Sequence, residues 1–155
     1  ILAMMAKEMN TQLTPAMRKE IEAQHMTIFE FITLASLVEK EAKFDEDRRI
    51  IAAVFKRRLA VGMPLQSCAS IQYILGYPKP LLSVEDTKIP SPYNTYINKG
   101  LPPGPIANPG KKSMEAVLYA PPTEYLFFVA DAEGHHIFSK TYEEHLKAVE
   151  KIYGN

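Results

Sequence analysis

The chain has 155 residues, 46% of them hydrophobic, which is enough for one domain with a real core and too apolar for a disordered segment. Eighteen basic side chains balance eighteen acidic ones, so there is no cationic footprint of a nucleic-acid binder or of a protein held on anionic lipid, and no nucleic-acid partner is expected. The single cysteine, Cys68, excludes an intrachain disulfide and leaves the redox compartment open.

The opening "ILAMMAKEMNTQLTP" reads as helix and holds neither an apolar run of about 18 residues nor a signal-peptide pattern. A start inside a helix, on Ile1 rather than Met, is expected of a piece of a longer protein. Thr14 is placed to cap a helix whose first position is Pro15. "TIFE" then offers a capping box, Thr27 with Glu30, ahead of a helix that is apolar on most sides and ends in "LASLVEKEAKF". "DEDRRIIAAVFKRRLAVG" has acids in its first turn, bases in its last and Gly62 just beyond, with Ile50, Ile51, Val54, Phe55 and Leu59 as its apolar set.

From residue 78 to 109 the chain carries eight of its twelve prolines, and that density of breakers predicts a long loop without regular elements. Tyr93, Asn94, Tyr96 and Asn98 within it argue for order, because a loop of this length in a compact domain is usually functional or disordered. Asn108 is expected to cap the helix around "KKSMEAVLYA". "YLFFVA" and "HHIFS" read as two strands around the turn "DAEG", and a second capping box, Thr141 with Glu144, heads a closing amphipathic helix. The fold class is therefore α+β, helix-rich, with a late β-hairpin.

Two carboxylates end the apolar helix. Glu41 lies over Leu37 and Val38, and Glu39 over Ala35 and Ser36. A carboxyl against an apolar wall can keep its proton and serve as an acid near neutral pH. The residues alone leave open the alternative that "EKE" is a solvated helix end with Lys40 beside it.

"LASLVEKEA", "RRIIAAVFKRRLAVGMPLQS", "PYNTYINKGLPPGPIANPG", "YLFFVADAEGHHIFS" and "EEHLKAV" follow one another from about Leu34 to Val149. In that order they resemble the catalytic domain of the endolytic murein transglycosylases, the YceG-like family. The resemblance implies a lysozyme-like catalytic core in a single domain over residues 1–155. It further implies non-hydrolytic cleavage of the β-1,4 bond between N-acetylmuramic acid and N-acetylglucosamine, leaving 1,6-anhydro ends. The parent protein would be membrane-anchored and act on the outer face of the bacterial cytoplasmic membrane, with peptidoglycan strands as substrate and cell-wall synthases as partners. No cofactor or metal is implied.

One carboxyl suffices for that chemistry, because the substrate's own C6 hydroxyl is the nucleophile; a hydrolase of the usual kind needs two. Glu41 is the expected catalytic group, on its more apolar neighbours and on its likeness to the glutamate that ends the corresponding helix in lysozyme-like transglycosylases. Glu39 would orient it, cap the site or pair with Arg48. Gln66 and Ser70 resemble a segment bordering the sugar groove, although Gln66 could equally just precede a helix capped by Ser67. Cys68 stands where many relatives carry aspartate and reads as a small buried hydrophobe. Tyr93, Asn94 and Thr95 are the expected substrate contacts, and His136 is expected to approach the site from the hairpin. His135 and His136, adjacent on a strand, point to opposite faces and do not make a metal site. Two other readings stay open: a muramidase with Asp45, Asp47 or Asp86 as second carboxylate, and a non-catalytic glycan-binding or scaffold module.

Overall fold

A computed structural model describes residues 12–79 and 81–154; the opening helix expected at residues 1–11 lies outside them. Thr14 starts α1 (Pro15–Ala23) by accepting the Met17 N–H at 3.1 Å. α2 (Ile28–Glu41) opens on a complete capping box, with Glu30 N–H on Thr27 Oγ1 at 3.0 Å and Thr27 N–H on Glu30 Oε1 at 2.9 Å. Phe31 and every residue from Thr33 to Val38 are buried, so α2 is the central rod of the core. It packs on α1, on α3 (Asp45–Val61), on α4 (Cys68–Leu75) and on α5 (Lys111–Tyr119), and α3 also packs on α5. Phe31 and Phe55 are both fully enclosed, and truncating either to alanine would cost about 3–5 kcal/mol.

α3 ends on Gly62 in the left-handed conformation, as the sequence predicts. Its buried stripe is wider than the apolar set: Asp47 precedes Ile51 by one turn and Arg58 follows Val54 and Phe55 by one turn, all five buried. Ile50 and Leu59 are only half-buried.

The proline-rich segment is ordered, and it contains one regular element that its proline density argued against, a 3₁₀ turn at Asp86–Lys88. Its backbone polar groups are met by local turns and by side chains instead of by a ladder. The Ile106 N–H, for example, donates to Ser36 Oγ at 3.0 Å, which pins the loop to α2. α5 is capped by Gly110 and not by Asn108, which is exposed.

β1 (Phe127–Ala130) pairs antiparallel with β2 (His136–Ser139), Phe128 facing Phe138 and Ala130 facing His136. One face, through Phe128, meets Phe55 of α3 at a ring distance of 5.7 Å; the other, through Phe127, meets His145 of α6 (Tyr142–Tyr153) at 5.2 Å. The connecting turn needs Gly134: φ is 98°, and a Cβ there would stand 2.5 Å from Lys43 Cδ. Thr141 caps α6 by accepting the Glu144 N–H at 3.2 Å, one half of the expected box. The fold is mixed α+β and helix-rich, with the two-stranded sheet wedged between α3 and α6.

Candidate active site

The last turn of α2 sends its two glutamates to different places. Glu41 Oε1 accepts from Ser67 Oγ at 2.6 Å and from the Ala69 N–H at 3.1 Å, so it sits on the N-terminal turn of α4. Ser67 does not cap that helix with its own side chain; Glu41 supplies the acceptor. Among the described residues none donates to Oε2 of Glu41. Glu39 Oε1 accepts from the Gly110 N–H at 2.8 Å and from Ser113 Oγ at 2.9 Å, which caps α5 in the same way. It neither pairs with Arg48 nor borders Glu41's surroundings.

Glu41 opens onto a cleft of about 520 Å³. Its walls include Gln66, Cys68, Tyr96, His136, Arg58 and Phe128, and among the described residues Glu41 is the only carboxylate on them. Gln66 holds a left-handed backbone at φ 51°, fixed by its N–H to Thr95 O at 3.1 Å, and stays exposed. The Tyr96 hydroxyl lies 3.1 Å from Cys68 Sγ. Desolvation and the nearby Glu41 carboxylate push the thiol up to about 11, and burial raises the Tyr96 hydroxyl above its ordinary value. His136 takes Asp47 Oδ2 twice, through its backbone N–H at 3.0 Å and Nδ1 at 3.3 Å, so Nε2 is the ring nitrogen left for a ligand. His135 turns away and stacks on Phe44 with centroids 3.9 Å apart.

The profile of the YceG-like family matches residues 1–151. The chain belongs to the YceG-like family. It is 42% identical over 151 residues to an endolytic murein transglycosylase of Bacillus subtilis, covering 97% of this chain and 42% of that protein. An endolytic murein transglycosylase of Streptococcus pneumoniae is 41% identical over 131 residues, covering 81% of this chain and 24% of that protein. A crystal structure of a yceG-like protein from Listeria monocytogenes superposes with a TM-score of 0.80 at 48% identity, covering 84% of this chain and 43% of that one. The chain thus spans less than half the length of each relative.

In this YceG-like chain the structure brings Glu41, Gln66 and His136 together and leaves the other expected site residues outside the cleft. Asn94 is fully buried: its amide donates to Thr87 O at 3.1 Å and Ile89 O at 2.9 Å and accepts the Tyr96 N–H at 2.8 Å, leaving nothing for a sugar. Thr95, also buried, accepts the Ser67 N–H at 2.9 Å and pairs with Ser70 Oγ at 2.8 Å; Ser70 in turn donates to Ser67 O at 2.7 Å. Ser70 and Thr95 therefore staple the loop to α4, Asn94 ties the loop to itself, and together they hold up the cleft wall from behind. Tyr93 packs on Tyr73, ring centroids 4.9 Å apart, away from Glu41. Asp45 is bound by Arg48 and Lys112, Asp47 by His136 and Asp86 by Lys79, so none of the three lines the cleft as a second carboxylate.

Residue patterns pointed to some of these groups without naming their role. Arg58 falls in the buried phase of α3, four residues after Val54, and a base in an apolar stripe has to find acceptors: its Nε donates to Leu126 O at 2.7 Å and its Nη1 to Pro64 O at 2.9 Å. Tyr96 follows the buried pair Asn94 and Thr95 and, half-buried itself, lines the cleft. Cys68, expected inside, is exposed on the cleft wall. No sequence signal marks Tyr153, which reaches back from the last turn of α6.

Proposed function

We propose that this domain is a lytic transglycosylase of peptidoglycan. Glu41 protonates the glycosidic oxygen between N-acetylmuramic acid and N-acetylglucosamine as the C1–O4 bond breaks. The C6 hydroxyl of the same muramoyl residue closes on C1, and Glu41 takes back its proton, so a 1,6-anhydro end forms and no water is consumed. The observation that carries this reading is a cleft with one carboxylate, because a hydrolase of the usual kind places two across the bond. The names of the Bacillus and Streptococcus relatives support the same chemistry. In the proposal Glu41 Oε1 is held by Ser67 and Ala69 while Oε2 meets the leaving oxygen. Gln66, Tyr96 and His136 Nε2 offer hydrogen bonds to sugar hydroxyls, and the Phe128 ring an apolar face.

The parent protein is proposed to work from an anchor on the outer face of the cytoplasmic membrane beside cell-wall synthases; no helix among the described residues is itself long and apolar enough to cross a membrane. Mass spectrometry of glycan strands incubated with the protein tests the function. Anhydro ends are expected; reducing ends would make the domain a muramidase, and unchanged strands a binding or scaffold module.

A further inference from the structure

A two-stranded sheet leaves one row of backbone groups open on each strand, and part of each row is occupied. On β2 the outward His136 N–H goes to Asp47 Oδ2 at 3.0 Å. On the β1 side, Leu126 C=O accepts Arg58 Nε at 2.7 Å, and Ala130 C=O accepts the Tyr153 hydroxyl at 2.9 Å. Phe128 lies between these two clamps. Its register opposite Phe138, two residues from the Ala130–His136 pair, puts it in the same outward phase. The N–H and C=O of Phe128 therefore leave the sheet side by side, with the Ala130 N–H next along. No described residue bonds any of the three, and Phe128, Ala130, Arg58 and Tyr153 all line the cleft that holds Glu41.

This pattern selects its ligand. An extended peptide residue carries N–H and C=O on the same side and can exchange two hydrogen bonds with Phe128, the way an exposed edge accepts an added strand. The acetamido group of an amino sugar is a planar trans amide whose N–H and C=O point in opposite directions, so it can satisfy only one of them. The clamped carbonyls on either side limit the contact to about one residue. A peptide with D-residues or side-chain linkages elsewhere is therefore accommodated.

We propose that the open edge of β1 at Phe128 and Ala130 binds the peptide stem of the peptidoglycan strand in extended conformation, beside the bond that Glu41 cleaves. The inference rests on the peptidoglycan reading above. It makes peptide substitution of the glycan a specificity determinant of the cleft.

The test compares kcat/KM on peptide-bearing strands with that on strands stripped of peptide by an amidase. A ratio of about ten is expected, the worth of a pair of net hydrogen bonds. Ala130→Pro deletes one of the two open N–H groups, one that the β1–β2 ladder does not use, and should lower the ratio about threefold while the Phe128 pair remains. A wild-type ratio near one, or an unchanged ratio in the variant, overturns the proposal. Amide hydrogen exchange on the wild-type chain needs neither turnover nor a variant: a synthetic muramyl pentapeptide should slow exchange at Phe128 and Ala130. If neither kind of strand is cleaved, the transglycosylase reading fails. The exchange result then decides the edge by itself, protection at those two amides upholding it and unchanged exchange overturning it.

Discussion

Glu39 and Glu41 stand two residues apart on α2 and cap two different helices, Glu39 the N-terminus of α5 and Glu41 that of α4. Two steps along an α-helix turn the side chain by roughly 200°, so both cannot reach one cleft. Each supplies an anionic acceptor to N–H groups that the capped helix cannot satisfy internally. Only Glu41 does so from the cleft wall.

Replacing these two glutamates should therefore separate rate from stability. Glu41→Gln is expected to cut turnover by roughly two to four orders of magnitude, measured as anhydro-ended product, while glycan binding survives. Glu39→Gln should leave turnover far less affected and lower stability by about 0.5–1 kcal/mol through the weakened α5 cap. If Glu39→Gln were the inactive variant and Glu41→Gln kept near-normal turnover, the assignment of the acid would be reversed.

Asn94→Ala is expected to destabilise the fold. The fully buried side chain makes three hydrogen bonds, and its loss leaves the Thr87 and Ile89 carbonyls and the Tyr96 N–H without these partners. A cost of about 2–3 kcal/mol follows. A thermal melt should fall by roughly 5–10 °C, and an unchanged midpoint would show that the loop is held without this amide.

Cys68 is exposed yet should be a sluggish nucleophile, since its thiol is pushed up to about 11. Alkylation by iodoacetamide at pH 7.5 is expected to run at least about tenfold slower than for free cysteine and to accelerate as pH rises toward 11. The folded state then holds a proton that an unfolded thiol releases near its ordinary value. Folded stability accordingly falls between the two pKa values as pH rises, and Cys68→Ala should flatten that part of the profile in denaturant titrations. Rapid labelling at neutral pH would contradict the packing of Sγ against Tyr96.

Asp86→Asn and chelation address the single-acid mechanism. Lys79 holds the Asp86 carboxyl below its ordinary range, helped by the Ser83 N–H, so its contribution to loop order is present at neutral pH and is lost as pH falls through the lowered value. The substitution should loosen the loop, seen as faster proteolysis there, with a loss of turnover well short of that of Glu41→Gln. EDTA should leave the rate intact. A metal requirement, or an Asp86→Asn variant as inactive as Glu41→Gln, would overturn the mechanism.

Helix ends were legible because capping chemistry is local: Thr14, Thr27 with Glu30, and Gly62 each do what their neighbours in sequence require. The cleft was legible only in part, because its residues meet across long separations. Asn94 and Thr95 have the right side chains for a sugar, but a loop so poor in regular structure needs its own donors and acceptors, and that internal demand takes them. The rotation of α2 separates Glu39 from Glu41, and no periodicity fixes it when the helix is buried almost all round. Arg58 and Asp47 left a readable trace, as charged residues in phase with the apolar stripe of α3, although their partners in the hairpin could not be named from that.

The hairpin's partly blocked edges also bear on how the protein behaves at high concentration. A sheet of two strands is all edge, the geometry that recruits other chains into intermolecular strands. Here Asp47 takes the His136 N–H of β2, and Arg58 with Tyr153 take the carbonyls on either side of Phe128 on β1, leaving on that strand an opening about one residue long set within a cleft. That is too short to template the strand of a neighbouring copy. β1 can thus keep bare backbone available for recognition while remaining resistant to the edge-to-edge pairing that a longer opening would invite.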